Sequence, residues 1–280
     1  MRRLPRPNIS AVQVLEACVG SIRDAELTGR LGQTKEAVVA AERDYINRGA
    51  NGSLHLTQGT IGIGGLVSNA EMERVYKGTF VKSVATREIY GKIKSAPEND
   101  ICPLCSQRAV SQLDHYLPQS AHPALTITPV NLVPACSECN KAKLASQAAQ
   151  AGDQTFHPYF EDADDARWLY AKVKEIYPPA LVFYPQPPLD LGPIKVQRIA
   201  SHFKLYKLAE LYASHSAVEM NDIRFGLIAM AEGSSSNKIS AHLRQIAASR
   251  AAAHANSWRR ATYEALADSE WFCSEGFRLA

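Results

Sequence analysis

The sequence has no long apolar run and no strong excess of charge of either sign. No segment of its 280 residues reaches the roughly 20 apolar residues that a membrane helix needs, and no secretory signal is recognisable. Lys and Arg total 31 against 28 Asp and Glu, a net charge of +3 that permits nucleic-acid binding without predicting it. We therefore expect a cytoplasmic protein without a membrane partner, and the sequence leaves oligomerisation open.

Nucleotide-binding motifs and internal repeats are also missing. Residues 47–69 are rich in glycine, but they lack the Gly-Lys-Ser/Thr ending of a phosphate loop and no helix opens where a dinucleotide fold needs one. We interpret this stretch as a long loop with short extended pieces.

Cysteine is scarce, and its spacing is informative. Four of the six cysteines form two Cys-x-x-Cys pairs, a spacing that favours metal over disulfide in a reducing compartment. Four thiolates close a tetrahedral structural zinc site and leave no open position for catalysis. The predicted Zn²⁺ ligands are Cys102, Cys105, Cys136 and Cys139. Cys18 and Cys273 stand alone and are expected to be small buried side chains or inert thiols.

Apolar spacing predicts helices before the first cysteine pair. One helix should begin after Asn8 or Ser10, and a second after Thr34. A longer helix is predicted over residues 69–94, in two pieces that meet near Gly78. Its excess of basic residues is most often a solvated face, but its position beside the cysteine pairs makes phosphate contacts an alternative.

After the cysteine pairs, residues 162–176 are predicted to be helical, followed by a short strand at residues 181–184. Further helices are predicted at residues 194–214, 217–232 and 237–269, with a turn at residues 233–237. The predicted organisation is an N-terminal helical region at residues 1–95, a zinc-stapled core at residues 96–160 and a C-terminal helical region at residues 161–280.

The segment between the cysteine pairs predicts a strand, a loop, a strand and a helix. Residues 112–117 alternate in character and suit a strand, and Pro118 starts an irregular loop. Residues 131–133 suit a second strand. Residues 137–150 suit a helix that Ser137 can cap.

Asp114-His115, Asn131 and Asn140, set among the four cysteines, resemble the zinc-containing HNH endonuclease family and its ββα-metal finger. The resemblance implies an α+β, mostly α-helical protein whose HNH core carries helical flanks. It implies that His115 activates a water and that Asn131 braces the loop. It also implies that Asp114 and Asn140 hold a divalent cation. Asn140 stands where many members have His, and its harder amide oxygen favours Mg²⁺ or Mn²⁺.

The chemistry of these residue types agrees with the resemblance. Phosphodiester hydrolysis needs an activated water and a cation on the phosphate oxygens, and a histidine can accept a proton at neutral pH. Adjacent strand residues point to opposite faces, so we expect the strand to end or bulge at His115. Alone, Asp114-His115 would be a surface pair; with the cysteines and both asparagines it predicts catalysis.

Four further residues have two interpretations each. Lys141 and Lys143 follow on the helix, where they would contact phosphate or be solvated. His122 would contact substrate or fill its turn. His157, in a His-Pro-Tyr-Phe sequence similar to one in a bacterial subgroup of these nucleases, would lie at the active site or pack under the aromatic pair.

The extended pattern over roughly residues 100–160 is similar to HNH proteins of bacterial defence, including the nuclease subunit of Septu-type anti-phage systems. This implies a DNA endonuclease that leaves 5′-phosphate and 3′-hydroxyl ends and works with an ATPase partner. One alternative is a non-catalytic, zinc-stabilised module that binds nucleic acid or a partner, and would not need Asp114, His115 and Asn140 together. Another is an RNA-cleaving toxin nuclease.

Overall fold

A computed structural model of the chain describes residues 1–232 and 236–280. The chain divides into two compact units, Met1–Asp162 and Ala163–Ala280. Helices dominate, and each unit contains a two-stranded antiparallel sheet, so the predicted mostly helical α+β class is confirmed. The predicted N-terminal region and zinc core both lie in the first unit. In these described parts of the chain, no helix has the length and apolar character that crossing a membrane requires.

The first unit contains α1 (Ala11–Val19), α2 (Ala25–Gln33), α3 (Lys35–Ala50), α4 (Asn69–Arg74), α5 (Val84–Lys94) and α6 (Ser137–Lys143). The helices predicted after Ser10 and Thr34 are confirmed as α1 and α3, and Ser10 caps α1 through the amide of Gln13. The sequence did not predict α2, because Gly29 and Gly32 weaken its helical signal. Asp24 nevertheless caps α2.

The long helix predicted over residues 69–94 is present in two α-helical pieces. A π-helical turn, Val75–Phe80, follows α4 directly and contains Gly78, and α5 begins at Val84. The predicted loop before it is shorter than expected because α3 continues to Ala50. That loop contains a 3₁₀ turn at Leu54–Leu56.

The first sheet pairs β1 (Gln112–His115) with β2 (Leu132–Ala135), and His115 lies opposite Leu132. As expected, β1 ends at His115. Buried Leu113 and Leu132 belong to the same apolar core as side chains of α1 to α5, so the sheet is packed against the N-terminal helices.

The helix after β2 differs from the prediction at both ends. Cys136, rather than Ser137, is the N-cap of α6, and its sulfur accepts a hydrogen bond from the amide of Cys139. The helix ends at Lys143 instead of continuing to residue 150, because Leu144 adopts a positive φ of 52°.

The second unit contains β3 (Leu169–Lys174) and β4 (Ala180–Pro185), followed by α7 (Pro193–Leu205), α8 (Leu208–Ala231), α9 (Ser236–Ala253), α10 (Trp258–Asp268) and α11 (Glu270–Ser274). The strand predicted at residues 181–184 is confirmed within β4. The helix predicted at residues 162–176 is wrong, because β3 pairs along its whole length with β4.

The predicted helix boundaries of the second unit are also corrected. The helix expected at residues 194–214 is interrupted at Lys207, which has a φ of 50°, and α8 runs through the break predicted near residue 216. The helix expected at residues 237–269 is divided into α9 and α10. Of the turn predicted at residues 233–237, residues 233–235 lie outside the described residues.

The buried side chain of Asn256 explains why β3 starts where it does. Its oxygen accepts hydrogen bonds from the amides of Trp168 (2.7 Å) and Leu169 (3.0 Å). Its nitrogen donates to the carbonyls of Ala163 (3.0 Å) and Ala166 (2.8 Å). One amide group therefore fixes the backbone at the start of the hairpin. This contact joins residues far apart in the chain, so the helical spacing of apolar residues could not reveal it.

We predict that Asn256→Ala lowers the free energy of unfolding by about 3 kcal/mol, because it leaves several buried backbone groups without partners. Urea unfolding followed by tryptophan fluorescence measures the loss. The control is Asn237→Ala, since Asn237 is exposed on α9. Equal stability of the two variants would contradict this role for Asn256.

Candidate functional site

The four predicted zinc ligands lie together in the structure. Their sulfur atoms are all within 4.8 Å of one another, and all four residues are buried. A tetrahedral zinc with Zn–S bonds near 2.3 Å separates its sulfurs by about 3.8 Å, so the cluster fits this ion. The cysteines can therefore hold a structural zinc.

Each cysteine pair is shaped by its own turn. Ser106 adopts a φ of 55° after the first pair, and the amide of Arg108 donates to the Cys105 sulfur at 3.5 Å. In the second pair the amide of Cys139 donates to the Cys136 sulfur at 3.4 Å. Hydrogen bonds within the cluster lower the pKa of the Cys105 and Cys136 thiols and raise that of Cys102 and Cys139. The backbone donors favour the thiolate form that binds metal.

His115 lies at the end of β1, with its ring held from two sides. Its Nε2 is 2.8 Å from the carbonyl oxygen of Thr126, and the Tyr76 ring packs edge-on with ring centroids 4.6 Å apart. A carbonyl oxygen only accepts, so Nε2 carries the hydrogen and Nδ1 of the neutral ring is the proton acceptor. Burial lowers the pKa of His115 to about 4, against the raising effect of the Thr126 hydrogen bond.

Asn131 lies directly before β2 and closes the loop between the strands. Its oxygen accepts from the amide of Leu117 at 2.8 Å. Its nitrogen donates to the carbonyls of Leu117 and Leu125, both at 3.1 Å. The side chain is fully buried. Three hydrogen bonds from one amide hold the segment that presents Thr126 to His115.

Asp114 is buried and faces Lys143 of α6. The Lys143 ammonium lies 3.5 Å from the Asp114 carboxylate and donates to the carbonyl of His115 at 2.5 Å. Burial raises the pKa of Asp114 to about 6, which Lys143 opposes, and burial lowers the pKa of Lys143. Lys143 is thus an internal cation, not the surface phosphate contact that the sequence suggested.

Asn140 and Lys141 lie on α6 after the last cysteine. Asn140 is half-buried one turn before Lys143, and Lys141 is exposed. Because Cys136 caps α6 and Cys139 lies within it, two cysteines of the cluster share one short helix with these side chains. Lys141 keeps the accessibility that a phosphate contact needs.

His122 and His157 are both engaged in structural hydrogen bonds. Nε2 of His122 is 2.7 Å from the Gln147 side-chain oxygen, and Gln147 in turn donates to the carbonyl of Thr57. His157 is fully buried; its Nδ1 accepts from the amide of Tyr159 and its Nε2 contacts the Tyr45 hydroxyl at 2.8 Å. These contacts favour turn-filling for His122 and aromatic packing for His157.

Two neighbours of His115 were not identified from the sequence. Tyr76 reaches the imidazole from the π-helical turn, a widening of the helix that often accompanies functional sites. Thr126 contributes only a backbone carbonyl, which any residue type provides. Gly78, a glycine within the helical pattern, was the one sequence feature that indicated an irregular turn here.

Comparison with known proteins finds similarity to protein ea31 of Escherichia phage lambda. The two chains are 23% identical over 294 aligned positions, which cover 97% of this chain and 99% of the phage protein. No protein-family model matches the chain, and no solved structure is significantly similar to it.

We predict that the purified protein contains one zinc ion per chain and that Cys139→Ala removes it. Loss of one ligand opens the site, so the variant should also unfold at lower temperature. Metal analysis and thermal unfolding measure both effects. Cys18→Ala, at a buried cysteine outside the cluster, should keep its zinc. Zinc retained by the Cys139 variant would contradict the assignment.

Proposed function

We propose that the protein is a metal-dependent endonuclease that hydrolyses DNA phosphodiester bonds with His115 as general base. The observation that carries the proposal is the geometry of the His115 ring. Its Nε2–H is held by the Thr126 carbonyl, which leaves Nδ1 as the basic nitrogen. A fixed imidazole with one defined acceptor is the arrangement that deprotonation of a water requires.

The remaining parts of the proposed site surround His115. Asn131 closes the loop that presents Thr126, and Tyr76 limits rotation of the ring. Asp114 and Asn140 would hold the divalent cation, Mg²⁺ or Mn²⁺. When bound, such a cation supplies charge stabilisation on the phosphate and leaving oxygens. The order β1, loop, β2, α6 agrees with a ββα-metal finger, which we propose as the HNH core.

The Lys143 ammonium bears directly on the proposed cation site. It lies 3.5 Å from the Asp114 carboxylate, so it would compete with a divalent cation for the same negative charge. Cation binding to Asp114 would therefore weaken this pair. Released, Lys143 would be a second positive charge beside a bound phosphate, with Lys141 on the surface of the same helix.

The biological setting is proposed from the resemblance of residues 100–160 to bacterial defence nucleases. We infer an anti-phage role with an ATPase partner.

A non-catalytic, zinc-stabilised binding module is the second candidate, and the Asp114–Lys143 pair favours it. A buried carboxylate that is neutralised by a lysine of its own chain needs no metal ion. The two functions differ in whether His115 matters for turnover, and in whether a divalent cation binds at Asp114.

We predict that the protein nicks supercoiled plasmid in Mg²⁺ or Mn²⁺, alone or with its ATPase partner, and that His115→Ala lowers the rate at least ~100-fold, the lower range for loss of a general base. Gel analysis of nicked and linear plasmid measures the rate. His242→Ala, on α9 of the second unit, should cut normally. Undiminished cleavage by the His115 variant would contradict the proposal, and cleavage of RNA but not DNA would correct the substrate.

We predict that Lys143→Met tightens Mn²⁺ binding, because the competing ammonium is gone and Asp114 is left as a buried, unpaired carboxylate. The metal-free variant should lose about 3 kcal/mol of stability, and Mn²⁺ should restore part of it. Calorimetric titration and thermal unfolding in Mn²⁺ measure both. Lys141→Met, two positions away and exposed, is the matched control. Equal Mn²⁺ affinity of the wild type and the Lys143 variant would show that the ammonium does not compete.

A further inference from the structure

An open groove of about 800 Å³ lies along α4 and the π-helical turn of the first unit. Arg74, Lys77 and Lys82 line it, all three exposed, and Lys77 pairs with Glu73 at 2.9 Å. Ser120 forms part of the opposite wall. With three basic residues against one acidic residue, the groove suits a negatively charged ligand.

The groove continues into a second hollow bounded by the loop at residues 59–61. The two hollows share Asn69, Ala70 and Ser120, so they form one continuous surface. The Asn69 side chain joins both walls, because its nitrogen donates to the Ser120 carbonyl and its oxygen accepts from the Gly62 amide at 2.6 Å.

The loop is held rigidly by its backbone. The Thr60 amide donates to the Ala121 carbonyl at 2.8 Å, and the Ile63 amide donates to the Val67 carbonyl at 2.8 Å. Gly62 has a φ of 73°, and a Cβ there would lie 2.7 Å from the Val67 carbonyl oxygen. Only glycine fits this turn, and the turn fixes the direction of residue 61.

Ile61, at the tip of this loop, is 100% exposed. Exposure of one apolar side chain is ordinary by itself, but Ile61 stands on a fixed turn at the rim of a basic groove. Proteins that bend DNA insert such apolar wedges between base steps, with basic residues beside them on the phosphates. The neighbouring Arg74, Lys77 and Lys82 are placed for that second role.

The groove is also connected to the proposed base. Lys77 lines the groove from the π-helical turn. Tyr76, on the same turn of helix, packs against the imidazole of His115. The π-helical turn that forms the groove wall therefore also packs against the His115 ring.

We propose that this groove binds duplex DNA, with Arg74, Lys77 and Lys82 on one phosphate strand and Ile61 inserted as a wedge at a base step. The proposal rests on the nuclease function above and names its DNA-binding surface. The three basic residues favour a polyanion, and insertion into a stacked base step is a property that only a duplex can show.

The test is fluorescence anisotropy of a short labelled DNA duplex with the His115→Ala protein, in which the DNA should stay intact. Arg74→Glu should weaken binding and reduce the slope of log affinity against log salt by about one. Ile61→Ser should weaken binding roughly tenfold, since the side chain no longer leaves water. Duplexes containing 2-aminopurine should brighten on binding, and Ile61→Ser should abolish that increase.

Two matched controls lie on α5 outside the groove. Arg87→Glu makes the same charge change as Arg74→Glu, and Val84→Ser removes another exposed apolar side chain. If the groove variants bind no worse than these controls, the proposal is overturned and the surface is left for a protein partner. Normal cleavage by the groove variants would overturn it while the nuclease function survives. If the wild type binds DNA through the groove but never cuts it, the groove proposal stands and the nuclease proposal fails.

Discussion

The cluster of four buried cysteines is the constraint on which the candidate site depends. It ties the turn at residues 102–105 to the start of α6, and the strands, the closed loop and His115 all lie between those points. The sheet has only two short strands, which would be marginal alone. A bound zinc would close this long loop and reduce the entropy of the unfolded chain. The α6 side chains then share the rigidity of the cluster, because Cys136 caps the helix and Cys139 lies within it.

Within that frame, two buried polar arrangements have different consequences. The Asn131 side chain uses both its donors and its oxygen on backbone groups, which favours one loop conformation and so a fixed position for the Thr126 carbonyl. The Asp114–Lys143 pair combines two desolvated charges, and burial drives both pKa values toward neutrality. Such a pair contributes little net stability but is costly to break. Asn131 thus fixes the site, whereas under the proposed function Lys143 would compete with a divalent cation for the Asp114 carboxylate.

The sequence predicted the parts of this site whose residue types carry their own chemistry. The chemistry of cysteine pairs, of an Asp-His dipeptide and of helix caps such as Ser10 resides in their side chains. Their residue types and spacing could therefore be interpreted without the fold. The burial of Lys143 could not be predicted. Nothing in the residues near Lys143 indicates that the folded chain places the Asp114 carboxylate of β1 beside it. Strand β3 was missed for a related reason, because Asn256, far along the chain, satisfies the backbone where β3 begins.

In the proposed groove, too, some residues shape the surface and others contact the ligand. Gly62 and Asn69 bind no ligand in the proposal, yet they decide where Ile61 points and how far the two walls stand apart. The rigid turn holds Ile61 in place before binding. Binding therefore does not have to offset the entropy lost in ordering a mobile loop. The π-helical turn, finally, is one element with two faces: Lys77 lines the groove and Tyr76 contacts His115. Neighbouring residues of one turn therefore link the wall of the groove to the packing of the His115 ring.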